Sequence, residues 1–211
     1  MRDAYHEQLD SIGHTLVEMA GLVGQALSRA TRALLEPDLA VAEAVISADD
    51  AVDSLHRELD VRTLDLMARQ QPVAGDLRTL VTSLRMSADL ERMGDLARHI
   101  AKVARMRYPD CAIPEDLRET IARMGEIGVD LAAKVGQIIE GKDVTAAESL
   151  DAEDDAVDRL HRAVFEALLR HDQPYAVETA IDVTLLSRYY ERYADHAVSV
   201  AKRLIFLVTG E

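Results

Sequence analysis

Glu91-Arg92-Met93-Gly94-Asp95 and Glu191-Arg192-Tyr193-Ala194-Asp195 stand one hundred residues apart, and each runs on to an Ala-Lys pair at 101/102 and 201/202. Within each phrase the two carboxylates are spaced i,i+4 and share one face of a helix. A second pair of acidic phrases lies upstream: Asp49-Asp50-Ala51-Val52-Asp53 leads into Leu55-His56-Arg57, and Asp154-Asp155-Ala156-Val157-Asp158 leads into Leu160-His161-Arg162. Asp38 and Asp143 keep the spacing of this second pair. A repeat of that length is too long for a solenoid unit and reads as duplication of a whole helical bundle.

In an antiparallel helical hairpin, residues equidistant from the turn lie side by side. Pro72 falls midway between Asp53 and Glu91 and beside the midpoint of Asp50 and Asp95, while Pro174 falls beside the midpoint of Asp155 and Asp195. The second hairpin is five residues shorter between its landmarks, three lost before the proline and two after it, so the carboxylate register survives the change in length. Four carboxylates at one level repel: two unit charges 4 Å apart cost about 4 kcal/mol at an effective dielectric of 20. They must protonate, splay into water or hold cations.

Each copy therefore carries a candidate cation site, open to more than one metal ion: Asp49, Asp50, Asp53, Glu91 and Asp95 in the first, and Asp154, Asp155, Asp158, Glu191 and Asp195 in the second. Oxygen donors alone favour Mg²⁺, Mn²⁺ or iron over zinc. The competing interpretation is a solvated acidic face with Arg92 or Arg192 as an ordinary salt-bridge partner. Repetition and register favour the site. His56, His161 and His99 fall near the acids and serve either as ligands or as plainly hydrogen-bonded histidines. Arg188 stands where the first copy has Ala88, which makes the second site more polar and partly neutralised, so the first is expected to hold a cation more strongly.

The elements that must position these groups read almost entirely as helix. Five prolines, at 37, 72, 109, 114 and 174, divide the chain into segments of helical length, predicted near 3–35, 38–70, 74–107, 115–141, 143–172 and 176–208. Short connections between long helices give antiparallel up-down bundles, hence an all-α fold of two tandem three-helix repeats, 1–108 and 113–211. Arg107 to Pro114 marks the hinge between them. On the third helix Met86, Leu90, Met93, Ala97, Ile100 and Ala104 form one buried stripe. A second, nearly opposite, runs Leu77, Val81, Leu84, Ala88 and ends in Glu91 and Asp95.

Composition narrows the function. A formal charge of −14 over 211 residues repels phosphate backbones, argues against nucleic-acid binding and suits cations or basic protein partners. The single Cys111 excludes an internal disulfide framework. The polar, acidic start Met1-Arg2-Asp3 is unlike an export signal, and the best apolar run, 204–208, is far too short to span a bilayer, so a cytoplasmic protein is expected. Ferritin-like oxidases need Glu-x-x-His, but Gly94 and Ala194 occupy the histidine positions. Metalloprotease, serine-hydrolase and P-loop motifs are absent from the sequence. A carboxylate-bridged metal-dependent hydrolase and a purely structural bundle stay open as readings.

The phrases Asp89-Leu90-Glu91-Arg92-Met93-Gly94-Asp95 and Tyr190-Glu191-Arg192-Tyr193-Ala194-Asp195-His196-Ala197, with an Asp-x-x-Val-Asp phrase ahead of each, resemble those of the PhoU family of phosphate-uptake regulators over essentially the whole chain. The resemblance implies tandem three-helix bundles that bind metal through Glu/Asp-x-x-x-Asp motifs. It implies a non-enzymatic negative regulator of the phosphate-starvation response, linking the ATPase subunit of a phosphate ABC transporter to a sensor histidine kinase. Homodimers and at most peripheral membrane contact are implied as well. The chain departs from the family pattern at His99 and Ser199, where Asn is frequent, and at Tyr189, where the first copy keeps Asp89.

Overall fold

Aspartate starts the second helix of each repeat. The side chain of Asp38 accepts a hydrogen bond from the Val41 amide, and that of Asp143 accepts one from the Ala146 amide, each at 3.0 Å. Such caps satisfy amides that have no partner within the helix and contribute about 1 kcal/mol each. The matched spacing of these two aspartates in the sequence is thus the spacing of two helix starts. A computed structural model of the protein describes residues 2–170 and 175–211, with side chains from Tyr5 onward. Its helices are α1 (Arg2–Leu35), α2 (Leu39–Gln70), α3 (Ala74–Arg107), α4 (Arg118–Gly141), α5 (Val144–Leu168) and α6 (Val177–Thr209), with a 3₁₀ turn at Glu115–Leu117 leading into α4.

The described residues contain no strand, and the predicted helix bounds hold to within a few residues. The exception is α5, which ends at Leu168 rather than near 172. There the Leu169 amide bonds the Phe165 carbonyl at 3.0 Å and the Arg170 amide bonds the Ala167 carbonyl at 3.3 Å, a tightened last turn that closes the helix. Pro174, where the sequence places the second hairpin turn, lies outside the described residues.

Helices α1, α2 and α3 pack as one antiparallel bundle and α4, α5 and α6 as another; α1 lies against α4 and α3 against α6, joining the two. The predicted stripe Met86, Leu90, Met93, Ala97, Ile100 and Ala104 is buried throughout. The second stripe is not a core face: Leu77 and Ala88 are exposed, and Val81, Leu84, Glu91 and Asp95 are half-buried along the α2–α3 seam. The other fully buried face of α3 is instead Thr82, Asp89, Leu96 and Val103, turned toward α6. A helix packed by three neighbours buries more of its surface than a single amphipathic period describes.

The segment expected to be a hinge is tied down. Ala112 and Ile113 are buried, Cys111 Sγ donates to the Leu34 carbonyl at 3.4 Å, and Arg118 donates to the Leu35 carbonyl. With α1 packed along α4 and α3 along α6, the two repeats share a continuous hydrophobic core, against which the linker is packed.

Candidate functional site: two acidic clusters

Hairpin register sets the two helices of each seam at matching levels, but Asp49 and Asp154 turn into the seam, while Asp50 and Asp155, the residues paired by the arithmetic, are exposed. His56 Nδ1 is hydrogen-bonded to Ser87 Oγ at 2.5 Å, and His161 Nδ1 to Ser187 Oγ at 3.1 Å, so equivalent residues cross both seams at equivalent levels. These two histidines are therefore held by serines of the facing helix. His99 is likewise occupied, its Nδ1 hydrogen-bonded to the Asp95 carbonyl at 2.7 Å.

In the first cluster Asp49 is buried, with its carboxylate laid against the backbone of α3. Gly94 makes room for it, since a Cβ at that position meets Asp49 Oδ1 at 3.1 Å. Arg98, a residue the sequence reasoning passed over, reaches between the two helices. Its guanidinium stands 2.6 Å from Asp49 Oδ2 and also donates to Asp95 Oδ1, and Arg92 contacts Asp95 Oδ2 at 3.1 Å. Burial pushes the Asp49 carboxyl up; Arg98 opposes that shift, while Asp53, Asp95 and Asp50 add to it. Glu91 is also pushed up, first by burial and then by Asp95 and Asp53. Asp50 itself is exposed and is the weakest of the charges acting on Asp49.

The second cluster repeats the acids without that guanidinium. Position 198, equivalent to 98, is a buried valine, and position 194, equivalent to Gly94, carries the methyl of Ala194. Asp154 is half-buried, and its Oδ1 has no hydrogen-bond partner. Burial and the neighbouring Asp195, Asp158, Asp151 and Glu191 raise its carboxyl to about 6. Glu191 is raised by burial and by Asp195, against the pull of Arg188, which pairs with Glu191 Oε1 and leaves the buried Oε2 unpartnered. Arg188 thus neutralises in part, as its position suggested. Asp155 is exposed and is not among the charges that shift Asp154 or Glu191.

The two clusters are compensated differently: the first holds Arg98 between Asp49 and Asp95, and in the second no guanidinium among the described residues bridges Asp154 and Asp195. Arg162 reaches only the outer edge of Asp158, at 3.5 Å. A groove of about 300 Å³ opens over the second cluster, lined by the acids Asp151, Asp154 and Asp195 and by the bases Arg192, His196 and Lys202. Its donor chemistry fits a hard cation, with unpartnered oxygens on Asp154 and Glu191. Among the described residues, however, no three His, Cys, Asp or Glu side chains are already gathered as a metal would require. Half-buried carboxylates on facing helices must swing together to bind one.

Sequence reasoning also missed the α3–α6 seam. Asp89, buried, accepts from Arg203 Nε at 2.5 Å and is hydrogen-bonded to His196 Nδ1 at 3.0 Å. Burial raises its carboxyl, but these two partners outweigh burial and hold it below the usual range. The equivalent Tyr189 stacks on His99 with ring centroids 5.4 Å apart, which accounts for two of the departures from the family pattern at once. The seven-residue recurrence of Thr82, Asp89, Leu96 and Val103 was the available signal.

Comparison with known proteins agrees with the duplicated architecture. The PhoU domain family model matches twice, at residues 16–104 and 121–204. The "phosphate-specific transport system accessory protein PhoU homolog 2" of Mycobacterium tuberculosis is 47% identical over 210 residues, covering 100% of this chain and 99% of the relative. A PhoU homolog of Rhizobium meliloti is 29% identical over 98% of this chain and 88% of its own. The crystal structure of the phosphate transport system regulatory protein PhoU from Streptococcus pneumoniae superposes with a TM-score of 0.88 at 25% identity, over 98% of both chains. PhoU from Pseudomonas aeruginosa does so with a TM-score of 0.86 at 26% identity, over 98% of this chain and 100% of that one. Two matched bundles, two sets of facing acids and full-length likeness in sequence and structure place this chain in the PhoU family.

Proposed function

We propose that this protein is a non-enzymatic accessory regulator of phosphate transport, acting in the cytoplasm as a negative regulator of phosphate uptake and of the phosphate-starvation response. The supporting observation is its full-length likeness to relatives named phosphate-specific transport system accessory proteins. In this reading it couples the ATPase subunit of a phosphate ABC transporter to a sensor histidine kinase, as a homodimer with at most peripheral contact with the membrane. No helix among the described residues is long and apolar enough to cross a bilayer, which suits that role.

The acidic clusters supply a cation-dependent element. Asp154, Asp158, Glu191 and Asp195 would hold a hard cation such as Mg²⁺, Mn²⁺ or iron, whose charge would relieve repulsion between α5 and α6 and stiffen the second bundle. The first cluster already has Arg98 for that purpose and is the weaker site. Regulation then works through the shape and charge of a helical surface, with no reacting group required.

Genetic and biochemical arms test the regulatory role together. Deleting the gene is expected to derepress phosphate-starvation genes in phosphate-rich medium, and the tagged protein is expected to recover the transporter ATPase from phosphate-replete cells. Unchanged expression in the deletion strain, with no ATPase recovered, would refute the role.

A further inference from the structure

The α3–α6 seam has two ends that the repeat makes equivalent but that carry opposite charges. As residue numbers rise along α3, their partners on α6 fall: Asp89 meets Arg203, His99 meets Tyr189, and Arg107 meets Asp182. The helices are antiparallel, and each position on α3 corresponds to the one a hundred residues on in α6. At one end, Glu178 and Asp182 of α6 hold Arg107 of α3, with Arg107 Nε 2.5 Å from Asp182 Oδ2. At the other, the equivalent positions are Arg78 and Thr82, and the counterpart of Arg107 is Leu207. One end is an acidic pair filled by the chain's own cation. The other is basic, and among the described residues no anion takes the place that Arg107 takes in the first; Leu207 stands there.

A cavity of about 310 Å³ opens at that basic end, lined by Thr82, Arg85, Ser199, Lys202, Arg203 and Phe206. Thr82 is 2% exposed, and its Oγ1 has no hydrogen-bond partner. Thr15, Thr79, Thr184 and Thr209 return the hydroxyl to a carbonyl one turn back; Thr63 in α2 shares the unpartnered state of Thr82, but only Thr82 lines this cavity. Arg78 lies behind the lining residue Phe206, its guanidinium over that ring at 6.0 Å from the centroid and packed against Gly210, and it adds positive charge to this end without lining the cavity. Arg85 is exposed and makes no ion pair among the described residues. Lys202 and Arg203 bring acids with them. Lys202 pairs with Asp151 at 2.7 Å, both well exposed, and such a pair exchanges easily. Arg203 gives its Nε to Asp89.

We propose that this pocket binds a tetrahedral oxyanion of the phosphate class. The guanidinium groups of Arg85 and Arg203 match such an anion in charge and geometry, and the buried Thr82 hydroxyl without a partner is a donor it would satisfy. The net charge of −14 opposes non-specific anion binding. At physiological salt, charges beyond about 8 Å are screened, so the local basic group governs the pocket. Ser199 and Lys202 also line the groove over the second acidic cluster, which puts the anion next to the candidate cation site. The inference rests on the seam's own charges; its failure leaves the regulatory role untouched, and the deletion phenotype does not decide it.

The test is calorimetric titration of the full-length protein, free of divalent cations, at constant ionic strength set by chloride. Inorganic phosphate and vesicles containing phosphatidic acid, run in parallel, separate a free ion from a lipid headgroup. Saturable binding of either, weakened about tenfold or more by Arg85→Glu and about threefold by Thr82→Val, supports the pocket. Thr82→Val should also leave the melting temperature of the free protein unchanged or raised, since it removes an unsatisfied hydroxyl. Arg123→Glu, on the distant face of α4, serves as the control and should bind as wild type. Absence of saturable binding of both probes below about 10 mM anion, or equal binding by Arg85→Glu and wild type, overturns it.

Discussion

The two acidic clusters are built from the same phrases, yet they solve the same electrostatic problem differently. In the first, Gly94 lets the Asp49 carboxylate press against α3, where Arg98 bridges it to Asp95. In the second, Ala194 and Val198 stand at those positions; Arg188 is bound to Glu191 and Arg162 to Asp158, while Arg192 and Lys202 line the groove, and none of the described bases bridges Asp154 to Asp195. A glycine and an arginine partly compensate the first cluster, although Asp49 and Glu91 are still pushed up. Where both are lost, the repulsion remains for protons or cations to relieve.

Removing the internal cation should have the largest effect. Arg98→Val, which copies the second repeat, strands a buried carboxylate. It should lower stability by roughly 2–4 kcal/mol at neutral pH in chelator, read by denaturant unfolding, with partial recovery on adding Mn²⁺. If the variant is as stable as wild type, Arg98 is not what compensates the first cluster.

The reverse change should stabilise. Asp154→Asn keeps the shape and removes the charge that its neighbours oppose. A carboxyl raised from 3.8 to about 6 means that the folded state holds its proton where the unfolded state has lost it. Its contribution therefore falls as pH rises through that window, and the full penalty is present above it. Discounted for the half-exposed side chain, the variant should gain roughly 1–2 kcal/mol at neutral pH without metal. The gain should shrink toward zero as pH falls to about 4. A gain independent of pH would mean that the charge of Asp154 is not its source.

Rim neutralisation should matter least. Arg188→Ala frees Glu191 from a half-exposed pair, so stability without metal should fall by no more than about 1 kcal/mol, while cation affinity rises a few-fold. Weaker cation binding in this variant would place Arg188 among the groups that assist the site.

The helices, their order and the buried stripe of α3 were legible because each rests on local signals: proline positions, capping aspartates and a sustained helical period. Acid register was legible too, since a hairpin's geometry follows from the place of its turn. Arg98 was not. In sequence it is one more base three residues beyond an acid, and only packing shows that Asp49 shares it across Gly94. The seam between the repeats was hidden for a similar reason. Asp89 reads as a surface acid until α6 brings His196 and Arg203 onto it, and that contact joins residues more than a hundred positions apart.

Melting of the full-length protein against Mn²⁺ concentration, for wild type and two double variants, tests the contrast between the clusters most directly. The wild-type melting temperature should rise with Mn²⁺. That rise should vanish in Asp154→Asn with Glu191→Gln and persist in Asp49→Asn with Glu91→Gln. A rise that survives the first pair of changes and disappears with the second would contradict the account, as would a wild-type protein that Mn²⁺ does not stabilise.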